Sequence, residues 1–244
     1  MKVTVIGQWG GYPKVNEASS GYLLEHDQYK LLIDCGSAVL SKLQNFVQPE
    51  DLDAAIISHY HPDHIADVGV LQHALLIGKY MDKNIQTLPI YGHEEDMNGF
   101  HALTFQDVTK GIGYNPEEKL QLGPFTISFL KTKHPVPCYA MRIEADGKVF
   151  VYTADTSYLD AFPAFSKDAD VLLCECNFYG NMDGSAAGHM TSYDAGNLAS
   201  LSGAKRLVLT HLPQYGDLEQ LKTEANEKYS GEVLLAYYGL TIQL

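Results

Sequence analysis

The chain has 244 residues, of which 45% are hydrophobic, and a formal net charge of −13 at pH 7. This length allows one large core, and no Ser/Gly-rich linker or charge run marks a boundary, so we predict a single domain over residues 1–244. The acidic charge disfavours a protein that grips long nucleic acid by a basic face, and the absence of a signal-peptide core or an apolar run of about 18 residues predicts a soluble cytoplasmic protein without membrane contact.

Four short apolar segments each lead into a residue that can bind a metal ion, and each has the pattern of a buried strand. They are residues 54–58 before His59, residues 125–130 before His134, residues 149–154 before Asp155, and residues 207–210 before His211. Because short loops bring the ends of neighbouring strands to one rim of a sheet, we expect these side chains to lie close together.

Three further segments place apolar residues at three- and four-residue steps, which is the pattern of a helix with one buried face. They are residues 65–80, 192–202 and 217–228. Alternating strands and helices predict an α/β layered protein. Residues 57–62 and 209–213 also share a plan of strand, hydroxyl residue, histidine and proline, which suggests a two-fold internal repeat.

The densest group of chemically active residues is His59, His61, Asp63 and His64. Imidazole nitrogen and carboxylate oxygen are the ligands that zinc accepts beside cysteine sulfur. Within a tight loop these side chains point in alternating directions, so two of them can serve one ion and two a neighbouring ion. The segment therefore predicts a metal site.

The segment His59-Tyr60-His61-Pro62-Asp63-His64 resembles the H-x-H-x-D-H signature of the metallo-β-lactamase superfamily, and later ligands follow in the family's order. The resemblance implies a four-layer αββα sandwich of two mixed β-sheets flanked by helices. It also implies two divalent ions, Zn²⁺ or alternatively Mn²⁺. By this carry-over the first ion is held by His59, His61 and His134, the second by Asp63, His64 and His211, and both by Asp155.

Within the superfamily, Gly188-His189-Met190-Thr191 resembles an element of the ribonuclease Z-like phosphodiesterases. Residues 10–20 and 173–178 are similar to further segments of that branch. The resemblance implies that His189 stabilises the phosphate and protonates the leaving oxygen, and that Asp63 orients the attacking water as well as binding metal. Histidine suits this role because it donates a proton near neutral pH. A homodimer is usual in the branch and is implied with it.

Two departures from ribonuclease Z point to a smaller substrate. Only 20 residues separate His134 from Asp155, which leaves no room for the long tRNA-binding arm, and Glu17 follows Asn16 where the tRNA enzymes commonly have an arginine nearby. We therefore predict a dinuclear hydrolase in which a metal-activated water attacks a cyclic or short nucleotide phosphodiester. Long nucleic acid is not an expected partner.

Three alternatives remain open at this point. The same metal pair would polarise the carbonyl of a lactone or thioester. A tRNA 3′-end endoribonuclease is the second alternative. A metal scaffold or di-iron redox module is the third, although the di-iron relatives have a glutamate where His61 stands.

Other residues receive structural interpretations. Asp34 is interpreted as a partner of a metal-binding histidine. Cys174 and Cys176 are interpreted as small buried strand residues, and the few cysteines fit a reducing compartment. The aromatic residues between positions 92 and 114 suggest either a lid over the cleft or part of the core.

Overall fold

A computed structural model describes residues 1–81, 83 and 85–244 of the chain. The backbone divides into two compact units: the first comprises Met1–Asn115 and Tyr237–Gln243, and the second comprises Pro116–Ala236 with Leu244. Each unit contains one seven-stranded mixed sheet with helices beside it. This agrees with the predicted α/β class of two mixed sheets flanked by helices. The single domain over residues 1–244 stays a prediction.

The sheet of the first unit has the order β14-β1-β2-β3-β4-β5-β6. Its strands are β1 Lys2–Gly7, β2 Gly21–His26, β3 Tyr29–Ile33, β4 Ala54–Ile56, β5 Leu88–Gly92, β6 Thr109–Gly113 and β14 Thr241–Gln243. The pairs from β14 to β3 are antiparallel, and those from β3 to β6 are parallel. Its helices are α1 Val39–Leu43, α2 Pro62–Ile65, α3 Val68–Tyr80 and α4 Met97–His101, with a 3₁₀ turn at Pro49–Asp51.

The core of the first unit forms where the parallel strands and α3 bury their apolar side chains. All three residues of β4 are buried, as expected for a strand covered on both faces. Phe100 and Phe105 pack against this core, and Tyr114 is buried with its hydroxyl donating to the Ile57 carbonyl at 3.3 Å. The aromatic residues between positions 92 and 114 thus belong to the core of the first unit. Of the two interpretations, lid or core, the structure supports the core.

The sheet of the second unit has the order β7-β8-β9-β10-β11-β12-β13. Its strands are β7 Leu120–Leu122, β8 Phe125–Lys131, β9 Tyr139–Ala145, β10 Lys148–Tyr152, β11 Val171–Glu175, β12 Arg206–Thr210 and β13 Glu232–Leu235. The pairs from β7 to β10 are antiparallel, and those from β10 to β13 are parallel. Its helices are α5 Phe162–Phe165, α6 Ser192–Ser202 and α7 Leu218–Lys228.

The helix predictions agree with the structure, and the small differences in where the helices begin follow from their capping residues. Helix α6 has the predicted bounds because a capping box of Thr191 and Asp194 starts it and Gly203, at φ 68°, ends it. Helix α7 begins one residue late because Asp217 is its N-cap. In place of a helix from residue 65, the separate turn α2 precedes α3. None of the helices in the described residues has the length and apolar character of a membrane span.

The segment between His134 and Asp155 is a hairpin of β9 and β10. The strands are joined at Asp146 and Gly147, whose φ angles of 48° and 70° are typical of a tight hairpin turn. The two strands account for most of the segment, so it contains no arm, as its length predicted. The predicted strands at 125–130, 149–154 and 207–210 correspond to β8, β10 and β12.

The suggested internal repeat holds for topology but not for the residues that suggested it. Both sheets have three antiparallel pairs followed by three parallel pairs. His59 follows β4, the fifth strand of its sheet, whereas His211 follows β12, the sixth strand of the other. The two histidines are therefore not equivalent positions of the repeat.

All four cysteines of the sequence are buried. Burial raises the pKa of the Cys174 and Cys176 thiols well above the ordinary value, and the neighbouring Glu175 carboxylate adds to this effect. A protonated thiol is a poor metal ligand. The interpretation as a small buried strand side chain is confirmed for Cys174, which lies in β11. Cys176 is buried as predicted but follows the end of β11, so the predicted strand position is wrong for this residue.

Candidate metal centre

The first unit gathers His59, His61, Asp63 and His64 in the turn between β4 and α3. The ring centroids of His59 lie 4.8 Å from His61 and 4.1 Å from His64, and the His64 Nε2 atom lies 3.5 Å from a carboxylate oxygen of Asp63. His59 and His64 are fully buried, and Asp63 is nearly so. The predicted ligands of this segment are thus brought together, with their ring nitrogens and carboxylate oxygens a few ångströms apart.

Asp34 fixes the orientation of this cluster from the end of β3. Its carboxylate accepts hydrogen bonds from the Ser58 backbone N–H and hydroxyl, each at 2.8 Å, and lies 2.8 Å from the Nδ1 atom of His64. Parallel pairing of β3 with β4 brings the two strand ends to the same edge. With Nδ1 bonded to the carboxylate, His64 offers Nε2 as its ligand atom, which is the usual arrangement around a metal-binding histidine. The predicted contact of Asp34 with a histidine is confirmed.

The second unit gathers His134, Asp155 and His211 at one edge of its sheet. An Asp155 carboxylate oxygen lies 3.2 Å from the Nε2 atom of His211 and 3.9 Å from that of His134. The side chains of all three are at most 3% exposed. Ala154, just before Asp155, and His211 itself both have a φ of 51°, a backbone strain that clusters at functional sites.

Gly188 supports His134 in a way that only glycine allows. Its carbonyl lies 3.1 Å from the His134 Nδ1 atom, so that Nε2 is the ring nitrogen on the side of Asp155. The φ of Gly188 is 78°, and an added Cβ would lie 2.9 Å from Nδ1 of His134 and 2.6 Å from Cδ of Pro135. A side chain at position 188 would therefore displace the histidine.

His189 is held by a buried carboxylate. Its Nδ1 atom lies 2.9 Å from an oxygen of Glu175, which ends β11 and is fully buried. The same carboxylate accepts hydrogen bonds from the backbone N–H groups of Thr156 at 2.9 Å and Asn177 at 3.3 Å. The ring of His189 stacks on that of His211, with the centroids 5.2 Å apart. His189 thus lies beside the second cluster with its Nδ1 already occupied.

The similarity of the chain to known proteins covers both clusters. The sequence profile described as "Beta-lactamase superfamily domain" matches residues 29–212, which include every residue of the two clusters. The chain belongs to the beta-lactamase superfamily. The predicted family is confirmed.

Two relatives illustrate the similarity of the chain to curated proteins. The chain is 56% identical, over 98% of both chains, to the probable metallo-hydrolase YhfI of Bacillus subtilis. The crystal structure of YhfI, described as a metallo-beta-lactamase fold protein, matches 99% of this chain with a TM-score of 0.98 at 55% identity. A ribonuclease Z of Halorubrum lacusprofundi is 26% identical over 100% of this chain and 97% of its own. The predicted fold is thereby confirmed.

A more distant solved structure shares the fold at lower identity. Human tRNase Z, short form, matches 100% of this chain and 99% of its own with a TM-score of 0.77 at 22% identity. At that identity the likeness concerns the fold alone.

The donor atoms of both clusters suit a divalent ion of the zinc type. The first unit offers the imidazole nitrogens of three histidines and one carboxylate. The second unit offers two imidazoles that lie 3.2 and 3.9 Å from one carboxylate. Imidazole and carboxylate are the ligands that zinc takes in catalytic sites. Histidines bonded through Nδ1 to Asp34 and Gly188 present Nε2 in a fixed direction, as metal ligands need. The residues therefore fit the metal ions that the superfamily implies.

Two supporting residues of the clusters were not recognised in the sequence. The backbone N–H of Gly11 donates to a carboxylate oxygen of Asp63 at 2.7 Å. The carboxylate of Glu17 accepts from the side chains of Gln8 and Trp9 and so fixes the loop that contains Gly11. For Glu175, the sequence indicates only that it belongs to a segment similar to one of the ribonuclease Z-like branch. A glutamate at the end of an apolar strand was the available signal for it.

Replacing Asp34 by asparagine is expected to weaken metal binding by about 10- to 100-fold, because an amide cannot hold the Nδ1–H of His64 as a carboxylate does. Zinc titration against a competing chromophoric chelator measures the effect. Asp67→Asn is the matched control, since the Asp67 carboxylate caps the Leu40 backbone N–H at 2.9 Å. Equal metal affinity in the Asp34 variant and the wild type contradicts this role.

Proposed function

We propose that the two clusters contribute to one dinuclear centre and that the chain is a metal-dependent phosphodiesterase for small substrates. In this assignment His59, His61 and His134 hold one ion, Asp63, His64 and His211 hold the other, and Asp155 is shared. The complementary donor sets support it, since neither cluster alone supplies enough ligands for two ions. The similarity to a probable metallo-hydrolase over 98% of the chain also supports it.

The observation that carries the phosphodiesterase assignment is the pairing of His189 with Glu175. The His189 side chain is 16% exposed, compared with 2% for His134 and 3% for His211, and it lines an open cavity of the second unit. A histidine that is held by a buried carboxylate and is reachable by a substrate has the properties of a general acid. An alkoxide leaving group requires such a proton donor. The proposed ligand set for two metal ions does not include His189, so metal binding does not account for its position at the cavity.

In the proposed reaction, bound divalent ions supply positive charge for the phosphoryl oxygens and lower the pKa of a nearby water. Gly11 holds one carboxylate oxygen of Asp63, so the carboxylate is oriented to bind metal and to direct the attacking water. Glu175 accepts at Nδ1 of His189 and stabilises its charged form. His189 then donates the proton at Nε2 to the leaving oxygen. The ribonuclease Z name of relatives at 26% identity is consistent with phosphodiester chemistry.

A substrate panel tests this function. Bis(p-nitrophenyl) phosphate, 3′,5′-cyclic AMP, a homoserine lactone, an acyl thioester and a precursor tRNA are each assayed with added Zn²⁺ or Mn²⁺. The expected result is hydrolysis of the two small phosphodiesters with values of kcat/KM on the order of 10²-fold above those of the carboxyl substrates. Preferential cleavage of the lactone or thioester would favour a carboxyl hydrolase. Preferential processing of the tRNA would favour an endoribonuclease.

A further inference from the structure

A cavity of about 370 Å³ opens beside His189, and all of its lining residues belong to the second unit. It lies between the segment after β8, the segment after β10 and the loop that leads into α6. Its volume falls in the lower part of the range of small-molecule sites, about 300–1,000 Å³. One nucleoside is therefore a suitable occupant, and several linked nucleotides are not.

The wall that carries Gly180 is fixed by hydrogen bonds within the second unit. The backbone N–H of Gly180 donates to the Glu224 carboxylate at 2.8 Å, and the ring of Tyr193 packs directly over Gly180. The hydroxyl of Tyr193 donates to Glu227 at 3.0 Å, and the Lys228 ammonium lies 4.5 Å from the ring centroid. The cavity thus has a prearranged shape, which lowers the entropic cost of ligand binding.

Two lining side chains suit a planar base. Tyr158 contributes an aromatic ring, and Met182, which is 41% exposed, contributes a flexible thioether. Aromatic rings stack on nucleobases, and methionine adapts to flat apolar surfaces. Both belong to the cavity that His189 lines, so a base placed here is close to the proposed proton donor.

The charge of the lining disfavours a second phosphate. Among the described lining residues, Lys133 contributes a positive charge, whereas Asp183 and Asp194 each contribute a carboxylate. The Asp194 carboxylate is occupied by Thr191 as part of the helix cap, whereas Asp183 is exposed. Hydrogen bonds from Ser185 hold the pKa of Asp183 below its ordinary value, so this carboxylate is charged at neutral pH.

We propose that this cavity binds the nucleoside group of a substrate with a single phosphodiester, with Tyr158 and Met182 contacting the base and Asp183 selecting against a second phosphate. The inference rests on the proposed phosphodiesterase function. It assigns substrate selection to residues outside the metal ligands.

The kinetic test uses the full chain with bis(p-nitrophenyl) phosphate, thymidine 5′-(p-nitrophenyl) phosphate and a thymidylate tetranucleotide. In Tyr158→Ala we expect kcat/KM for the thymidine ester to fall about tenfold relative to that for the ester without nucleoside. Met182→Ala, at an exposed position, is expected to change the same ratio in the same direction. An unchanged ratio in both variants overturns the base contact.

In Asp183→Asn, the ratio of tetranucleotide to thymidine ester hydrolysis is expected to be about threefold above the wild-type ratio at low salt. At about 0.5 M salt the two ratios are expected to approach each other, because salt screens the exposed carboxylate of the wild type. Asp146→Asn removes the same charge at the β9–β10 turn, the opposite end of β10 from Asp155, and is expected to leave the ratio unchanged. An unchanged ratio in Asp183→Asn at low salt overturns the charge selection.

A binding measurement separates failure of this inference from failure of the proposed function. Saturation-transfer NMR follows thymidine 5′-monophosphate with the chelator-treated full chain, so its result does not depend on catalysis. Binding that weakens about tenfold in Tyr158→Ala supports the cavity even if no phosphodiester is hydrolysed. Equal binding by the wild type and the variant, or none by the wild type, overturns it even if phosphodiesters are hydrolysed.

Discussion

His189→Ala is expected to lower the rate of hydrolysis of 3′,5′-cyclic AMP by about 10²- to 10⁴-fold while both metal ions stay bound. The reason is that a ribose alkoxide is a poor leaving group and must be protonated as the bond to phosphorus breaks. His189 is the histidine whose Nδ1 atom lies 2.9 Å from the buried Glu175 carboxylate, and Nε2 is the nitrogen proposed for this transfer. Steady-state kinetics with elemental analysis of the same samples measures both parts of the expectation.

The leaving group distinguishes an acid from a structural residue. p-Nitrophenolate leaves without protonation, so hydrolysis of bis(p-nitrophenyl) phosphate is expected to fall far less than hydrolysis of cyclic AMP. Glu175→Gln is expected to show the same selective loss to a smaller extent, because Glu175 acts through His189. His101→Ala, at an exposed position of α4, is the control for histidine removal. Equal losses on both substrates contradict the general-acid role.

Asp155→Asn is expected to remove at least one of two metal equivalents and to lower phosphodiesterase activity on the order of 10³-fold. Its carboxylate lies 3.2 Å from the ring nitrogen of His211 and 3.9 Å from that of His134, so it is placed to be shared between ligand sets. An amide of the same shape preserves the packing but lacks the negative charge that two cations require. Elemental analysis after gel filtration and kinetics in the presence of excess zinc measure the effect.

Asp170→Asn is the matched control for this change. Asp170 precedes β11, and its carboxylate accepts from the Val149 backbone N–H and from Lys205, each at 2.8 Å. Val149 lies near the start of β10 and Asp155 follows its end, so the control alters a carboxylate at the other end of the strand. The control is expected to keep full metal content. Two bound metal ions and wild-type activity in Asp155→Asn contradict the bridging role.

The strands and helices around the site could be predicted from the sequence, because the patterns that indicate them lie within short segments. Apolar runs of four to six residues predicted β8, β10 and β12, and three- and four-residue periodicity predicted α3, α6 and α7. The cluster His59, His61, Asp63 and His64 was visible because its members lie within six residues. Local hydrogen bonding also explains where the bounds were accurate: Thr191, Asp194 and Gly203 define α6 by contacts within the helix ends.

The partners of these residues were not readable, because they come from distant segments whose pairing depends on strand order. Asp34 reaches His64 across 30 positions, and Gly11 reaches Asp63 across 52. The suggested repeat failed at His59 and His211 for the same reason, since similar short segments can follow strands at different positions of their sheets.

The sequence by itself determined the family, the strand and helix pattern, and the set of nitrogen and oxygen donors. Only the tertiary structure decided which groups orient those donors: Asp34 for His64, Gly188 for His134, and Glu175 for His189. It also placed Tyr158, Met182 and Asp183 around one cavity with His189. The physical reason is that side-chain chemistry is a property of each residue, whereas the direction of a ring nitrogen and the charge around a cavity depend on long-range packing.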